Sequence, residues 1–301
     1  MMMALPFDQI LNGLFTRYTQ RVPVFTTILD AMITQKMIKS ISDIDHDHIA
    51  FRTLGVPHLG IKSLEKLFLY HGYIRRDAYH FTQKKLDAFW YAPPNHHWPR
   101  VFISELRVND LSSEAQTIIH HYTDPITQDP VANLSLSDPN AVDAFLHSSN
   151  WDLPTWDHYK TLLDESEYAA WAIYNRYYLN HFTIGVHALP APYNTLNTFN
   201  VFLEDLGARL NSSGGKIKTS QDGLLRQSAT VAQQLSAPFT QDAHRQTYHT
   251  IAGSYVEFAE RLPLPEFEHN LQCARHQRRD GFDTQNANTI FESTFRDQVQ
   301  G

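Results

Sequence analysis

The chain has 301 residues, of which 42% are hydrophobic and 19% are charged, so it can bury a large core and is not a disordered protein. Its formal charge of −7, without a basic stripe, argues against a nucleic-acid binder. The single cysteine, Cys273, excludes an intramolecular disulfide and a cysteine-rich zinc site. No run of apolar residues approaches the length of a membrane span, so no membrane partner is expected.

The first ten residues, MMMALPFDQI, lack the basic region and following apolar region of a secretory signal. Together with the single cysteine, this favours a reducing compartment. We therefore expect a cytoplasmic location.

The N-terminal segment, residues 1–40, is predicted to be helical. Apolar residues recur at helical spacing through residues 8–37, and Pro23 separates two such runs. The pattern indicates a helical hairpin whose role is packing.

A first patterned block occupies residues 44–108. It contains a predicted strand, then a helix, then three further strands. Ser63 is expected to cap the N-terminus of the helix, and Gly72 is expected to end it. The predicted strands are 48–54, 73–81, 85–92 and 100–106.

The same order of elements recurs after a long, mainly helical insertion at residues 110–179, which could act as a lid. The second block, residues 180–262, contains a predicted helix at 196–211 and is followed by a C-terminal tail, 263–301. Its predicted strands are 181–187, 216–220, 224–232 and 247–262. The sequence thus predicts an α+β protein with two βαβββ modules in a single compact domain, 1–301.

Alternate residues of a strand share a face, so His48, Ala50 and Arg52 point the same way. If the two blocks are equivalent, His48 and His181 occupy corresponding positions on their first strands. Their last strands offer Glu105 and Glu257, and a carboxylate inside an apolar strand needs a partner.

Two histidines and one carboxylate on a rigid sheet suit a mononuclear, non-haem Fe(II) site. We predict His48, His181 and Glu257 as metal ligands, with Glu105 as a possible fourth. The alternative for each of these residues is a hydrogen-bonded core histidine or a surface glutamate.

Arg52 would lie beside the metal, where its guanidinium could bind a substrate carboxylate through two hydrogen bonds. The alternative is an internal salt bridge with an acidic residue such as Asp47. Lys218, Gln227 and Ser228 lie on predicted strands of the second block, where they could bind polar groups of a substrate or be solvated.

Several segments resemble the 2-oxoadipate dioxygenase/decarboxylase family, whose members are also called hydroxyglutarate synthases. They occur in the same order through most of the chain. These segments are DHIAFRT at 47–53, PRVFISEL at 99–106, NHFTIGV at 180–186, GLLRQSAT at 223–230, GSYVEFAER at 253–261 and IFEST at 290–294.

The resemblance implies a vicinal-oxygen-chelate fold, in which the two modules form a curved, barrel-like mixed sheet. It also implies Fe(II) and the conversion of 2-oxoadipate and O2 to 2-hydroxyglutarate and CO2, a step of lysine breakdown. By motif, the ligands fall on His48, His181 and Glu257, and the substrate-binding arginine on Arg52. The expected partners are a 2-oxo acid and O2; the oligomeric state stays open.

Two other functions stay open on the same fold. One is a different metalloenzyme, such as a glyoxalase-like isomerase or another dioxygenase. The other is a protein that binds a metal and a 2-oxo acid without turning it over.

Overall fold

The computed structural model describes residues 6–242, 245–270 and 273–300. The chain begins with two helices, α1 (Pro6–Arg21) and α2 (Pro23–Thr34), as the apolar spacing predicts. Pro23 stands at the start of α2, where its missing N–H costs no helical hydrogen bond. The apolar stripe of α1 is fully buried, which explains its helical spacing.

The first module contains the predicted order of one strand, one helix and three strands. Its elements are β1 (His46–Leu54), α3 (Ile61–Tyr70), β2 (Ile74–Phe81), β3 (Leu86–Ala92) and β4 (Arg100–Leu106). The predicted cap at Ser63 is wrong, because α3 begins two residues earlier and follows Gly60, whose φ is +77°. Ser63 instead donates a hydrogen bond to Asp129.

The insertion is helical, as predicted. It forms α4 (Ser113–Thr123), α5 (Pro139–His147), α6 (Trp156–Glu165) and α7 (Glu167–Asn175). Serine, aspartate or threonine side chains cap all four helices at their N-termini. Helix α7 packs against β1 and so brings the insertion to the central sheet.

The second module repeats the order of the first, with one addition. It contains β5 (His181–Gly185), α8 (Leu196–Asp205), β6 (Lys218–Thr219), β7 (Leu225–Ala229) and β10 (Tyr255–Arg261). Between β7 and β10, the strands β8 (Gln234–Asp242) and β9 (Arg245–Ala252) form a separate two-stranded sheet.

The single strand predicted at 247–262 is therefore wrong, because Gly253 and Ser254 separate β9 from β10. A Cβ atom at Gly253 would lie 2.6 Å from Leu235 Cδ1 and 3.1 Å from Gln233 O, so only glycine leaves room for this close approach. Strand β8 was not predicted from the sequence.

The two modules share one eight-stranded sheet in the order β2-β3-β4-β1-β5-β10-β7-β6. The first strands of the modules, β1 and β5, pair antiparallel at the centre, and each pairs in parallel with the last strand of its own module. This mixed, curled sheet is the predicted vicinal-oxygen-chelate architecture.

One face of the sheet packs against α3 and α8. The C-terminal tail crosses the other face through α9 (Thr284–Ile290), a 3₁₀ turn (Phe291–Thr294) and α10 (Arg296–Gln300). Helix α9 contacts β2 and β6, which are the two edges of the sheet. The tail therefore bridges the curled sheet. No helix in the described ranges has the length and apolar character needed to span a bilayer.

Candidate metal centre

Three predicted side chains meet at the centre of the sheet, on the face that the tail covers. His48 lies on β1, His181 on β5 and Glu257 on β10, and all three are buried. One nitrogen or oxygen atom from each lies within 4.8 Å of the others. Glu257 is 3.4 Å from His48 Nε2 and 3.2 Å from His181 Nε2, so three donors converge on one point.

Asp47 orients the His48 ring. The register of β1 against β5 shifts between His46 and His48, so Asp47 is the extra residue of a β-bulge. His48 Nδ1 lies 2.7 Å from Asp47 Oδ1 and donates a proton to it. This leaves the Nε2 lone pair of His48 directed at the centre, which is the usual arrangement of a metal-binding histidine with an outer carboxylate.

The Asp47 carboxylate also accepts hydrogen bonds from Arg261, at 2.5 Å from Nε and 2.9 Å from Nη2. Burial opposes ionisation of this carboxyl, but the charges of Arg261 and Arg100 hold its pKa well below its usual range. Asp47 is thus a fixed negative charge behind His48. The salt bridge considered between Asp47 and Arg52 is not formed.

His181 has an analogous support, because its Nδ1 lies 3.0 Å from the side-chain oxygen of Asn180. Burial lowers the pKa of His181 to about 3. The ring is therefore neutral at physiological pH, as a metal ligand must be. Burial also acts to lower the pKa of His48, but Glu257 and Asp47 outweigh it and raise that pKa. The same carboxylates would favour a bound cation.

Glu257 is held from its other side. Gln227 Nε2 donates to Glu257 Oε1 at 2.6 Å, and Asn286 in the tail donates to Gln227 Oε1 at 3.0 Å. Burial tends to raise the pKa of Glu257, yet the two histidines lower it overall. The carboxylate is ionised, and the N, N, O donor set fits a divalent transition metal with open coordination positions.

Arg52 lies on the same face as His48 and is 1% exposed. Its guanidinium donates to Phe291 O and Thr294 Oγ1, both at 3.1 Å, and packs over aromatic rings of Tyr168 and Trp171. Among the described residues it makes no ion pair, and its Nε has no hydrogen-bond partner. Burial without a counterion lowers the Arg52 pKa.

Two other predicted residues lie elsewhere. Ser228 follows Gln227 on β7, so it points to the opposite face, where its hydroxyl bonds to Asn200 of α8 at 2.8 Å. Glu105 also lies on the far face and accepts from the backbone N–H of Ile61 at 2.8 Å. Glu105 thus accepts the hydrogen bond of a backbone N–H in the first turn of α3, away from the triad. The prediction of Glu105 as a fourth metal ligand is wrong.

Lys218 is buried beside the site, because it pairs with Gln227 across β6 and β7. Its Nζ donates to Asn211 O at 2.7 Å. Burial lowers the pKa of Lys218 to about 8. The structure thus places Gln227 and Lys218 near the triad, and of these Gln227 contacts a predicted ligand.

The triad opens into a small cavity whose remaining wall is mainly aromatic and aliphatic. The tail supplies much of this wall. The lining residues besides the triad are Phe102, Gln227, Tyr255, Phe282, Ala287, Ile290 and Phe291. Tyr255 was not among the predicted site residues, although it lies two residues before Glu257 and alternation along β10 puts both on the same face.

Comparisons with known proteins show the family. Residues 10–270 match the family described as 2-oxoadipate dioxygenase/decarboxylase. The chain belongs to this family. The chloroplastic 2-oxoadipate dioxygenase/decarboxylase of Arabidopsis thaliana is 39% identical over 97% of this chain and 78% of its own length. The chloroplastic/amyloplastic enzyme of Oryza sativa subsp. japonica is 40% identical over 97% of this chain and 80% of its own.

A solved structure is also similar over most of its length. It is the hydroxyglutarate synthase of Oryza sativa in complex with 2-oxoadipate, with 39% identity, a TM-score of 0.88 and coverage of 98% of this chain and 94% of that one. The predicted family, fold and enzyme class, a dioxygenase/decarboxylase, are thereby confirmed.

The predicted cytoplasmic location is wrong. Both curated members of the 2-oxoadipate dioxygenase/decarboxylase family are named as plastid enzymes, one chloroplastic and one chloroplastic/amyloplastic. The prediction failed because the lack of a secretory signal and of a disulfide does not distinguish the cytoplasm from a plastid.

Proposed function

We propose that this protein catalyses the Fe(II)-dependent oxidative decarboxylation of 2-oxoadipate with O2, which yields 2-hydroxyglutarate and CO2 and serves lysine breakdown. The atoms balance: C1 leaves as CO2, and the two oxygen atoms enter the new carboxyl at C2 and the hydroxyl at C3. The names of the two plant relatives, and the 2-oxoadipate bound in the solved Oryza sativa structure, support this substrate.

One observation carries the proposal. A fully buried arginine that forms no ion pair with any described residue lies on the same face as a buried His–His–Glu cluster. Burying a charge without a partner is strongly unfavourable, so Arg52 is expected to meet an anion in the working state. The two other most deeply buried arginines, Arg100 and Arg261, already have carboxylates. A 2-oxo dicarboxylate supplies an anion for Arg52 and a second one for the metal.

His48, His181 and Glu257 would hold the iron. When bound, Fe(II) supplies the redox chemistry with O2 and a positive charge for the 2-oxo acid. Asp47, Asn180 and Gln227 keep the ligand atoms in place, so little reorganisation is needed on binding.

The remaining residues would bind and shield the substrate. Arg52 would bind a carboxylate with its planar, always charged guanidinium. Phe102, Phe282 and Phe291 enclose the cavity and keep bulk water from it. Lys218 lies within electrostatic reach of Glu257 and adds a second positive charge on the opposite side of the ligands.

Oxygen uptake tests the function directly. Protein reconstituted with Fe(II) under anaerobic conditions is expected to consume O2 when 2-oxoadipate is added, with one CO2 and one 2-hydroxyglutarate per O2. His181→Ala is expected to lose bound iron and uptake together. His147→Ala removes a histidine that is also poorly exposed but lies outside the site, and serves as the control.

The negative outcomes are informative. If the iron-loaded protein consumes no O2 with 2-oxoadipate, this substrate is rejected, and other 2-oxo acids and glyoxalase substrates are tried. If His181→Ala retains iron at the wild-type stoichiometry, the ligand assignment is rejected while the substrate can still stand.

A further inference from the structure

The hydroxyl of Tyr255, in the wall of the metal cavity, donates no hydrogen bond to any described residue. Tyr255 lies beside His181 in the parallel pairing of β10 and β5, with ring centroids 4.8 Å apart. The side chain is 0% exposed, and its hydroxyl has no hydrogen-bond partner of normal geometry within the part of the chain that the structure describes. Buried hydroxyls are almost always bonded, so this one points to a missing acceptor.

One N–H group of the neighbouring Arg52, at Nε, also lacks an acceptor among the described residues. Its charge acts directly on the Tyr255 hydroxyl, yet the Arg52 Nε and the Tyr255 oxygen both lack a hydrogen-bond partner of normal geometry. The Tyr255 hydroxyl and the Arg52 Nε are thus two neighbouring donors, one of them on a cation, that have no acceptor among the described residues. A carboxylate has two oxygen atoms and one negative charge, and it satisfies both donors at once.

Charge indicates which carboxylate this is. A 2-oxo dicarboxylate has one carboxylate next to its keto group and one at the far end. A divalent metal and its single anionic ligand, Glu257, together carry one net positive charge, which balances the charge of the first carboxylate. The far carboxylate then needs its own cation in a buried cavity. Arg52 has no hydrogen bond to any of the three ligands among its described contacts, and its guanidinium instead contacts the tail residues Phe291 and Thr294.

We propose that the Tyr255 hydroxyl donates a hydrogen bond to the far carboxylate held by Arg52, and that it thereby selects dicarboxylic over monocarboxylic 2-oxo acids. This inference rests on the function proposed above. Phe102, Ile290 and Phe291 line the cavity beside the triad and Tyr255, and their apolar side chains suit the methylene groups of such a substrate.

The test compares two ligands that differ only in the far group. 2-Oxoadipate and 2-oxohexanoate have the same chain length, but the second ends in a methyl group. Binding of each to the Fe(II)-loaded protein is measured by anaerobic titration calorimetry, and kcat/KM is measured from oxygen uptake. The proteins are the wild type, Tyr255→Phe and Tyr177→Phe, because Tyr177 is equally buried and its hydroxyl is also unpartnered, but it lies in the insertion.

Loss of one hydrogen bond to a charged group is expected to weaken 2-oxoadipate binding about 10- to 100-fold in Tyr255→Phe. Binding of 2-oxohexanoate is expected to be unchanged, and Tyr177→Phe to behave as the wild type with both ligands. Equal weakening of both ligands, or no weakening of either, would overturn the inference. Failure of the wild type to bind either acid would overturn the proposed function itself, and that outcome is visible before any variant is made.

Discussion

Phe102 occupies in the first module the position that Glu257 occupies in the second. Glu257 pairs with Thr183, two residues after His181, and Phe102 pairs with Ala50, two residues after His48. The repeat therefore provides two histidines but only one carboxylate. An aromatic ring stands where a symmetric site would have its fourth ligand, and this leaves coordination positions open for substrates.

Phe102→Glu is expected to restore the missing ligand. The added carboxylate should raise the affinity for a divalent metal and abolish oxygen uptake, because it takes a position that substrates need. Competition with a chelator measures the affinity, and Phe102→Leu is the control that keeps an apolar wall. If Phe102→Glu holds metal no more tightly than Phe102→Leu, the two positions are not equivalent.

Asp47→Asn tests the support behind His48. The change leaves Arg261 buried without a negative charge, which should lower the free energy of unfolding by about 3 kcal/mol or more. It should also weaken metal binding about 10- to 100-fold, because the His48 ring loses its charged acceptor. Denaturant unfolding and metal titration measure the two effects.

The control for this change is Asp280→Asn. Asp280 bonds to Arg100 Nε but its side chain is 58% exposed, so water can replace part of the interaction. A loss of stability in Asp280→Asn as large as that in Asp47→Asn would contradict the role assigned to burial.

Arg52→Met separates binding from stability. Relief of an uncompensated buried charge should offset the lost contacts with Phe291 and Thr294, so the free energy of unfolding is expected to change by no more than about 1 kcal/mol. In contrast, kcat/KM should fall about 100-fold or more, because the substrate carboxylate is left buried without its cation. Thermal unfolding and oxygen uptake check the two quantities. A variant that is fully active would refute the role of Arg52.

Lys218 makes stability depend on pH in a defined direction. Burial lowers its pKa in the folded protein to about 8 from an ordinary value of 10.5. Between these values the unfolded chain binds the proton and the folded protein does not, so this residue makes stability increase as pH rises from 8 to 10.5, by up to about 3 kcal/mol.

Lys218→Met should remove this increase. The difference in unfolding free energy between pH 7 and pH 9.5 is expected to be smaller in the variant than in the wild type. Lys216→Met, at an exposed position on the same segment, is the matched control. If Lys218→Met shows the same pH dependence as the wild type, Lys218 is not the residue responsible.

Much of this architecture follows from two regularities of the sequence. Alternation along β1 and β5 placed His48, Arg52 and His181 on one face, and the repeated order of elements predicted the two modules. The positions of Glu105 and Glu257 looked equivalent because each stands inside an apolar strand. Only the register between strands, which depends on tertiary packing, distinguishes a helix-capping glutamate from one at the metal centre.

Other features had no local signal. The bulge at Asp47 depends on how β1 meets β5, and neither strand reveals it alone. The C-terminal tail places Phe282, Ile290 and Phe291 in the cavity wall. Those contacts join residues far apart in the chain, which no periodicity describes.

The seam between β1 and β5 carries one further consequence. His48 and His181 face each other across the only pairing that joins the two halves of the described eight-stranded sheet, with their Nε2 atoms 3.3 Å apart. An ion bound there would link the two halves of the sheet. At a free ion concentration 1,000 times the dissociation constant, binding would add about 4 kcal/mol to the free energy of unfolding. If that ion is the proposed Fe(II), the cellular lifetime of this protein would follow the iron supply, because the metal-free chain would unfold more readily and proteases would degrade it sooner.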